Sequence, residues 1–405
     1  MRSIMIIGAG EGQVPLIKAA LQENCHTIVC DRNPNAPGVA LADDFLPVST
    51  KDRDGLLAAA KKKNIDGVIA NSDYAMESVA YIAQNMGLVG NPEESVAVFS
   101  SKSRFRELQK RIGLFAPGFL AVDSVEHWDA AALEGFSFPI IIKPDDNSGS
   151  RGTCIIDQPN DGSGIFNSLK TAMKESRNGK AILEEYVSMP FLTAVEGEIF
   201  IHHGQILWDG LFQTRRSAKA PTLPMTYVFP LSETEEKTDS VKDTLTKAFL
   251  AAGILHGEYN VELFFTNDGK TFLIEINPRQ GGYDLPRYVR EHCGIDYDRL
   301  LITTALGDDS YWESLKTFKR ENRKIIHHML FPRSKGRFRG LSIADEIKDK
   351  VFRCRTDIEI GKDIECTVDA ASCIGSVDAE FDSVADQQVV SSRMEELIKV
   401  EIEQV

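Results

Sequence analysis

A chain of 405 residues is longer than one compact core organises, and it predicts two or three domains. A hydrophobic fraction of 42% with 26% charged residues is ordinary for a soluble globular protein, and a formal net charge of −14 excludes a general nucleic-acid binder, since nothing offsets repulsion from phosphates over a broad surface. The seven cysteines form no CxxC pair, the start MRSIMIIGAG lacks a signal-peptide core, and no segment reaches membrane-spanning length, so a soluble protein in a reducing cytoplasm is expected.

Residues 3–30 read strand, glycine turn, helix, strand: SIMIIG, AGEGQ, VPLIKAALQE and HTIVCD. A helix (LLAAAKKKN) and a third strand (DGVIAN) come next at α/β spacing, so residues 1–100 predict a parallel α/β domain. Ligands bind at the carboxyl ends of such strands, which places Gly8–Gly12, Asp31 and Asn71–Asp73 along one crevice. The glycine run is not a dinucleotide fingerprint, because the third glycine of GxGxxG would fall at Gln13.

A helix (SKSRFRELQKRIG) opens a second unit over 101–187, leading into the strand-like runs FPIIIKP, TCIIDQ and AILEEYV. Residues 188–330 hold further β runs, the helix TDSVKDTLTKAFLAAG and the hairpin GEYNVELFFTNDGKTFLIEINPR. Residues 331–405 form a small α+β appendix, with SSRMEELIKVEIE as an amphipathic C-terminal helix. The basic stretch Lys319–Arg339 is expected to be a solvated surface rather than a cover for the cleft.

Asp268–Gly269 between two alternating runs is a two-residue hairpin signal. That turn sets Glu262 opposite Glu275 and Asn260 opposite Asn277, with Phe264 opposite Leu273 on the same face; Val261, Leu263, Phe265, Phe272, Ile274 and Ile276 form the core face. Two glutamates across a strand pair repel. Either they point into water, or a divalent cation lies between them; oxygen ligands with an amide alongside suit Mg²⁺ or Mn²⁺ bridging phosphates. Asn277-Pro278-Arg279 favours the cation, because an arginine leaving the sheet there is placed to neutralise a transferring phosphoryl group or an anionic substrate.

GEYNVELFFTNDGKTFLIEINPRQGG resembles the metal-binding signature of the ATP-grasp superfamily, closest to the carbamoyl-phosphate-synthase-like and L-amino-acid-ligase branch. The Glu–Glu spacing is one residue longer than in many relatives, which leaves room for a bulge in the hairpin. The resemblance implies an N-terminal α/β domain, a two-part ATP-grasp fold (101–187 and 188–330) and a C-terminal appendix. It assigns Glu262, Glu275 and Asn277 to the metal and Arg279 to the acyl-phosphate and tetrahedral intermediate. Lys102 and Lys143 go to the ATP phosphates. Lys143 also stands out by itself, since an apolar run leading into a lysine is costly without an anion partner. DDNSGSRGT (145–153) fits a phosphate-covering loop through Ser148, Gly149, Ser150, Arg151 and Gly152. In AILEEYV, Glu184 would accept from the adenine amino group while Glu185 and Val187 read the ring edge, with Phe264 and Leu273 as the adenine floor.

The same resemblance implies ATP-dependent amide formation between a small-molecule carboxylate and an amine, with amino acids as common substrates and homodimers common in that branch. Another acceptor such as bicarbonate is the alternative. Arg215, Arg216 and Arg279 are candidates to grip a substrate carboxylate; Arg215 and Arg216 alternate along a strand, so at most one faces the site. His256 is expected to be a packed structural histidine.

Overall fold

The computed structural model describes residues 1–404 apart from 127, 148, 150, 159–161, 219 and 368–371. Among the described residues no helix is long and apolar enough to cross a membrane. Strands β1 (Ser3–Ile7), β2 (His26–Cys30), β3 (Asp44–Leu46) and β4 (Gly67–Ile69) pair in parallel in the order β3-β2-β1-β4. Parallel strands need crossovers; helices Val14–Gln22 and Arg53–Lys63 supply them, burying Leu16, Ile17, Leu56 and Leu57 against the sheet. At the strand ends Ala9 donates to Asp31, and Asn71 donates to the Gly12 carbonyl, so the expected crevice residues do meet.

The second sheet is antiparallel and small, with β5 (Phe119–Val122), β6 (Ile140–Pro144), β7 (Cys154–Ile156) and β8 (Ala181–Glu185) in the order β5-β8-β6-β7. The chain then runs through β9 (Thr193–His202), β10 (Gln205–Leu207), β11 (Leu211–Ser217), β12 (Ala220–Phe229), β13 (Gly257–Phe265), β14 (Thr271–Asn277) and β15 (Lys324–Met329). It finishes with β16 (Gly336–Ile343), β17 (Val351–Thr356), β18 (Asp363–Ile364), β19 (Gly375–Phe381) and β20 (Ile398–Glu403). The large sheet has the order β14-β13-β9-β11-β12-β15-β19-β17, with β10 beside β9. The tail therefore shares the large sheet through β19 and β17, while β18-β16-β20 form a sheet of their own. An N-terminal parallel α/β unit succeeded by antiparallel sheets with helices is the fold class the sequence predicts.

Two expectations are corrected. The stretch Lys319–Arg339 is not a solvated surface throughout, because Ile325–Met329 of β15 are buried inside the large sheet, where the apolar side chains of KIIHHM outweigh the flanking charges. SSRMEELIKVEIE is not one helix: the last helical turn ends at Leu397 and Ile398–Glu403 is strand β20. IKVEIE alternates apolar and polar residues, and a period of two wins once a partner strand offers hydrogen bonds.

Helices Lys102–Arg111 and Glu235–Ala252 cover one face of β9, β13 and β14, where Phe105, Leu108, Leu245 and Phe249 pack on Val261, Leu263 and Ile276. The other face looks across a cavity of about 540 Å³ toward the small sheet.

Candidate active site

The cavity is organised by the β13–β14 hairpin. Glu262 pairs with Glu275, Val261 with Ile276 and Asn260 with Asn277, but beyond Glu262 the register slips, so that Leu263 pairs with Leu273 and Phe264 with Phe272. The turn is also longer than a two-residue one: Phe265 pairs with Thr271, and the Thr266 carbonyl accepts from Gly269. The extra residue in β14 is Ile274. A bulge inverts the facing of the residues past it, and the expected adenine floor changes accordingly. Leu273 does not line the cavity; it packs in the core beneath the sheet, and its carbonyl accepts from Arg106 and Gln109. Phe272 and Ile274, expected on the core face, line the cavity instead, with Phe264 and Val187. Phe264 and Phe272 meet edge to face at 5.3 Å.

Glu262 and Glu275 are joined by a third carboxylate. Glu196 on β9 is the other cross-strand neighbour of Glu262, and only 5% of it is exposed. Thr214 donates to Glu196 at 2.8 Å, and Arg216 is ion-paired to Glu262 and lies 3.8 Å from Glu196. One arginine does not neutralise three acids. Burial and then the Glu262 charge push the Glu196 carboxyl up to about 8, and burial with Glu275 also raises Glu262 despite Arg216. An oxygen-only anionic set with a cation deficit, and Asn277 donating to Glu275 at 3.0 Å, fits a hard divalent cation. One row along, Glu198 accepts from Asn260 at 2.7 Å and from the Gly281 N–H at 2.8 Å, a contact so close that a Cβ at position 281 would strike its carboxylate.

The opposite wall has the reverse sign, two cations around one carboxylate. Glu184 is buried between Arg106 at 2.8 Å and Lys143 at 2.7 Å. Burial alone would raise its carboxyl, but the Arg106 and Lys143 charges outweigh that and hold it at about 2. Burial, against the pull of Glu184, lowers Lys143. Both Glu184 oxygens thus orient cations, and an adenine amino group would share them with those partners. The Glu185 carboxylate turns away, accepting from the Gly118 and Ser137 N–H groups, and its own N–H donates to the Gly118 carbonyl. Lys102 lines the cavity and donates to the Asn147 carbonyl at 2.6 Å.

Of the covering loop, Gly149 and Arg151 line the cavity and Gly152 packs near Pro144 and Glu175; Gly149 and Gly152 adopt φ of 71° and 68°, which glycine takes without strain. Ser148 and Ser150 lie outside the described residues. Arg279 reaches into the cleft beside the N-terminal unit and grips Asp73 at 2.9 and 3.2 Å. Asp73 raises it further although burial opposes, so the guanidinium stays charged. The arginine pair divides as alternation requires: Arg216 faces the cavity, whereas Arg215 binds Ser391 and Gln388 of the tail helix.

Residue patterns alone missed Glu196, Glu198 and Arg106. The first two had a signal: VEGEIF places acids at every second position of an otherwise apolar strand. Arg106 had none, because its partner lies 78 residues away.

Comparison with known proteins gives the following similarities. Residues 136–286 match the model of the ATP-grasp domain family. It is 28% identical over 196 residues to the formate-dependent phosphoribosylglycinamide formyltransferase of Parasynechococcus marenigrum (strain WH8102), covering 46% of this chain and 48% of that one. It is 23% identical over 324 residues to the carbamoyl phosphate synthase large chain of Thermotoga sp. (strain RQ2), covering 75% and 28%. The aligned region thus spans about half or less of these curated relatives. The L-amino acid ligase of Bacillus licheniformis has the same fold over 100% of this chain and 99% of its own, with a TM-score of 0.78 at 17% identity. Phosphoribosylglycinamide synthetase from Anaerococcus prevotii matches over 99% and 100%, with a TM-score of 0.71 at 21% identity.

Proposed function

We propose that the protein is an ATP-dependent carbon–nitrogen ligase that joins a small-molecule carboxylate, an amino acid by preference, to an amine. The observation that carries this reading is one cavity lined by Lys102, Lys143, Glu262, Glu275, Asn277 and Arg279, in a chain whose residues 136–286 match the ATP-grasp domain family. Mg²⁺, or Mn²⁺ in its place, would be held by Glu262, Glu275 and Asn277, and supplies charge neutralisation of the nucleotide phosphates.

The protein's own groups do the rest. Lys143, steered by Glu184, and Lys102 hold phosphate oxygens; Phe264, Phe272, Ile274 and Val187 form the apolar end for the adenine ring. The terminal phosphoryl group passes to a substrate carboxylate oxygen, giving an acyl-phosphate and ADP. An amine nitrogen then attacks the acyl carbon and phosphate leaves with that oxygen, the nitrogen losing a proton. Arg279, charged and fixed by Asp73, stabilises the oxyanion, while the 145–153 loop excludes water that would hydrolyse the acyl-phosphate. The carboxylate substrate belongs in the cleft between Arg279 and the N-terminal crevice, where Asn71 approaches Gln280 at 3.4 Å.

The test is phosphate release from Mg·ATP in the presence of pooled amino acids carrying ¹⁸O in their carboxylates. Stimulated release with ¹⁸O in the phosphate is expected. Release driven by bicarbonate instead would move the reading to another acceptor, and stimulation by neither would refute it.

A further inference from the structure

A cluster of side chains of the kinds that ligate metals stands at the far end of β9, outside the cavity lining. His202 ends that strand and His203 begins the tight turn into β10. His203 and Gly204 form a two-residue hairpin loop with φ of 47° and 73°, a shape that ordinarily selects Asn or Gly at both places. A histidine held there costs about 1 kcal/mol or more of backbone strain. The strained turn brings the His203 ring against that of His202, with centroids 4.3 Å apart, and points both toward Asp309, at the start of the short helix Ser310–Ser314.

We propose that His202, His203 and Asp309 form a binding site for Zn²⁺ or a similar borderline transition-metal ion. The His202 Nε2 and His203 Nε2 atoms lie 2.9 and 3.4 Å from the same Asp309 oxygen, and one donor atom from each residue falls within 4.8 Å of the others. Ligands on a tetrahedral ion with bonds of about 2.0–2.1 Å are separated by about 3.3 Å, so a small ion fits with minor rotation of two exposed side chains. An independent feature points the same way. The other nitrogen of His202, Nδ1, is 3.1 Å from the hydroxyl of buried Thr304, an outer contact that orients the ring and can accept from Nδ1 when Nε2 binds a metal. Trp312 lies over the His202 ring at 5.0 Å, and His256 sits beside both imidazoles, at 5.6 Å from His202 and 4.8 Å from His203. Two imidazoles and one carboxylate select Zn²⁺, Co²⁺ or Ni²⁺ over Mg²⁺, and three protein ligands leave a position for water.

The place gives the ion a job. Asp308, next to Asp309, is bound by Arg2 at 2.6 Å, and Arg2 also donates to the Leu306 carbonyl. An ion on the histidines would therefore clip the β9–β10 hairpin of the large sheet to the segment that Arg2, just before β1, holds.

The test uses full-length protein stripped of metal and kept in excess Mg²⁺, titrated with Co²⁺ while the visible spectrum is recorded. One equivalent with the strong absorption of tetrahedral cobalt, displaced by Zn²⁺, is expected. His203→Gly keeps the turn geometry and should abolish that absorption. Thr304→Val should weaken binding about 10–100-fold, read on protein that is fully folded at the assay temperature. Glu275→Gln, in the carboxylate cluster, should leave the absorption intact. No tetrahedral absorption, absorption that survives His203→Gly, or its loss in Glu275→Gln would each overturn the proposal.

Discussion

Two buried charge clusters face each other across the cavity, and they are compensated in opposite ways. On the small sheet, one carboxylate, Glu184, lies between Arg106 and Lys143. On the large sheet, three carboxylates, Glu196, Glu262 and Glu275, share Arg216. Burying a charge is tolerable only when it is paired. The first cluster satisfies its carboxylate from within and keeps one positive charge in excess, so that it holds Lys143 in place for an anion. The second carries an anion excess, which a bound cation relieves. The difference separates the part of the site that is built in from the part that waits for Mg·ATP.

The sharpest way to break this contrast is Arg106→Met. It strips Glu184 of one cation and the Leu273 carbonyl of a donor, and should lower stability by about 3–5 kcal/mol in urea unfolding. A loss below about 1 kcal/mol would deny the scaffold role. The same cluster sets an acid limit. Because Glu184 is held at about 2 against an ordinary 4.5, its stabilisation is complete above 4.5 and disappears as pH falls toward 2, a window visible in acid unfolding.

Next comes Arg279→Ala, expected to slow turnover by about 10²–10³ in the phosphate-release assay with ATP affinity little changed. Near-normal turnover would remove Arg279 from the mechanism. Leu273→Ala should cost about 2 kcal/mol or more of stability without weakening nucleotide binding, whereas Phe272→Ala should weaken nucleotide binding. The reverse pattern would mean that the bulge at Ile274 is misplaced.

Smallest is the effect of Glu196→Gln on the free protein. A folded value near 8 against 4.5 means that the folded state keeps a proton the unfolded chain loses, so the stability contribution is intact below 4.5 and is lost as pH rises through 8. The substitution should flatten that dependence and stabilise the ligand-free protein by about 1–2 kcal/mol at neutral pH. An unchanged pH profile would remove the anion excess.

The share of this that was legible in the sequence depends on which forces are local. Strand alternation and the Asp268–Gly269 turn signal marked the hairpin, and Glu262 opposite Glu275 was read correctly. It was read correctly through two offsetting departures, a turn longer than two residues and a bulge at Ile274, which together restore the register at the glutamates. Between them the register is shifted by one, so that Leu273, expected on the cavity face, packs in the core, while Phe272 and Ile274, expected in the core, line the cavity. Alternation also limits the cavity to one of Arg215 and Arg216, and the structure shows that it is Arg216. Arg106 was invisible because nothing local marks an arginine on an amphipathic helix as buried; only the tertiary approach of Glu184 does.

The central claim is tested most directly by calorimetric titration of a non-hydrolysable ATP analogue, with and without Mg²⁺, in two buffers of different ionisation enthalpy near pH 7. Binding that requires Mg²⁺, releases protons as the raised carboxyls ionise, and is lost in Glu262→Gln with Glu275→Gln is the predicted result. Binding indifferent to Mg²⁺ and to both substitutions, or no binding at all, would contradict the account.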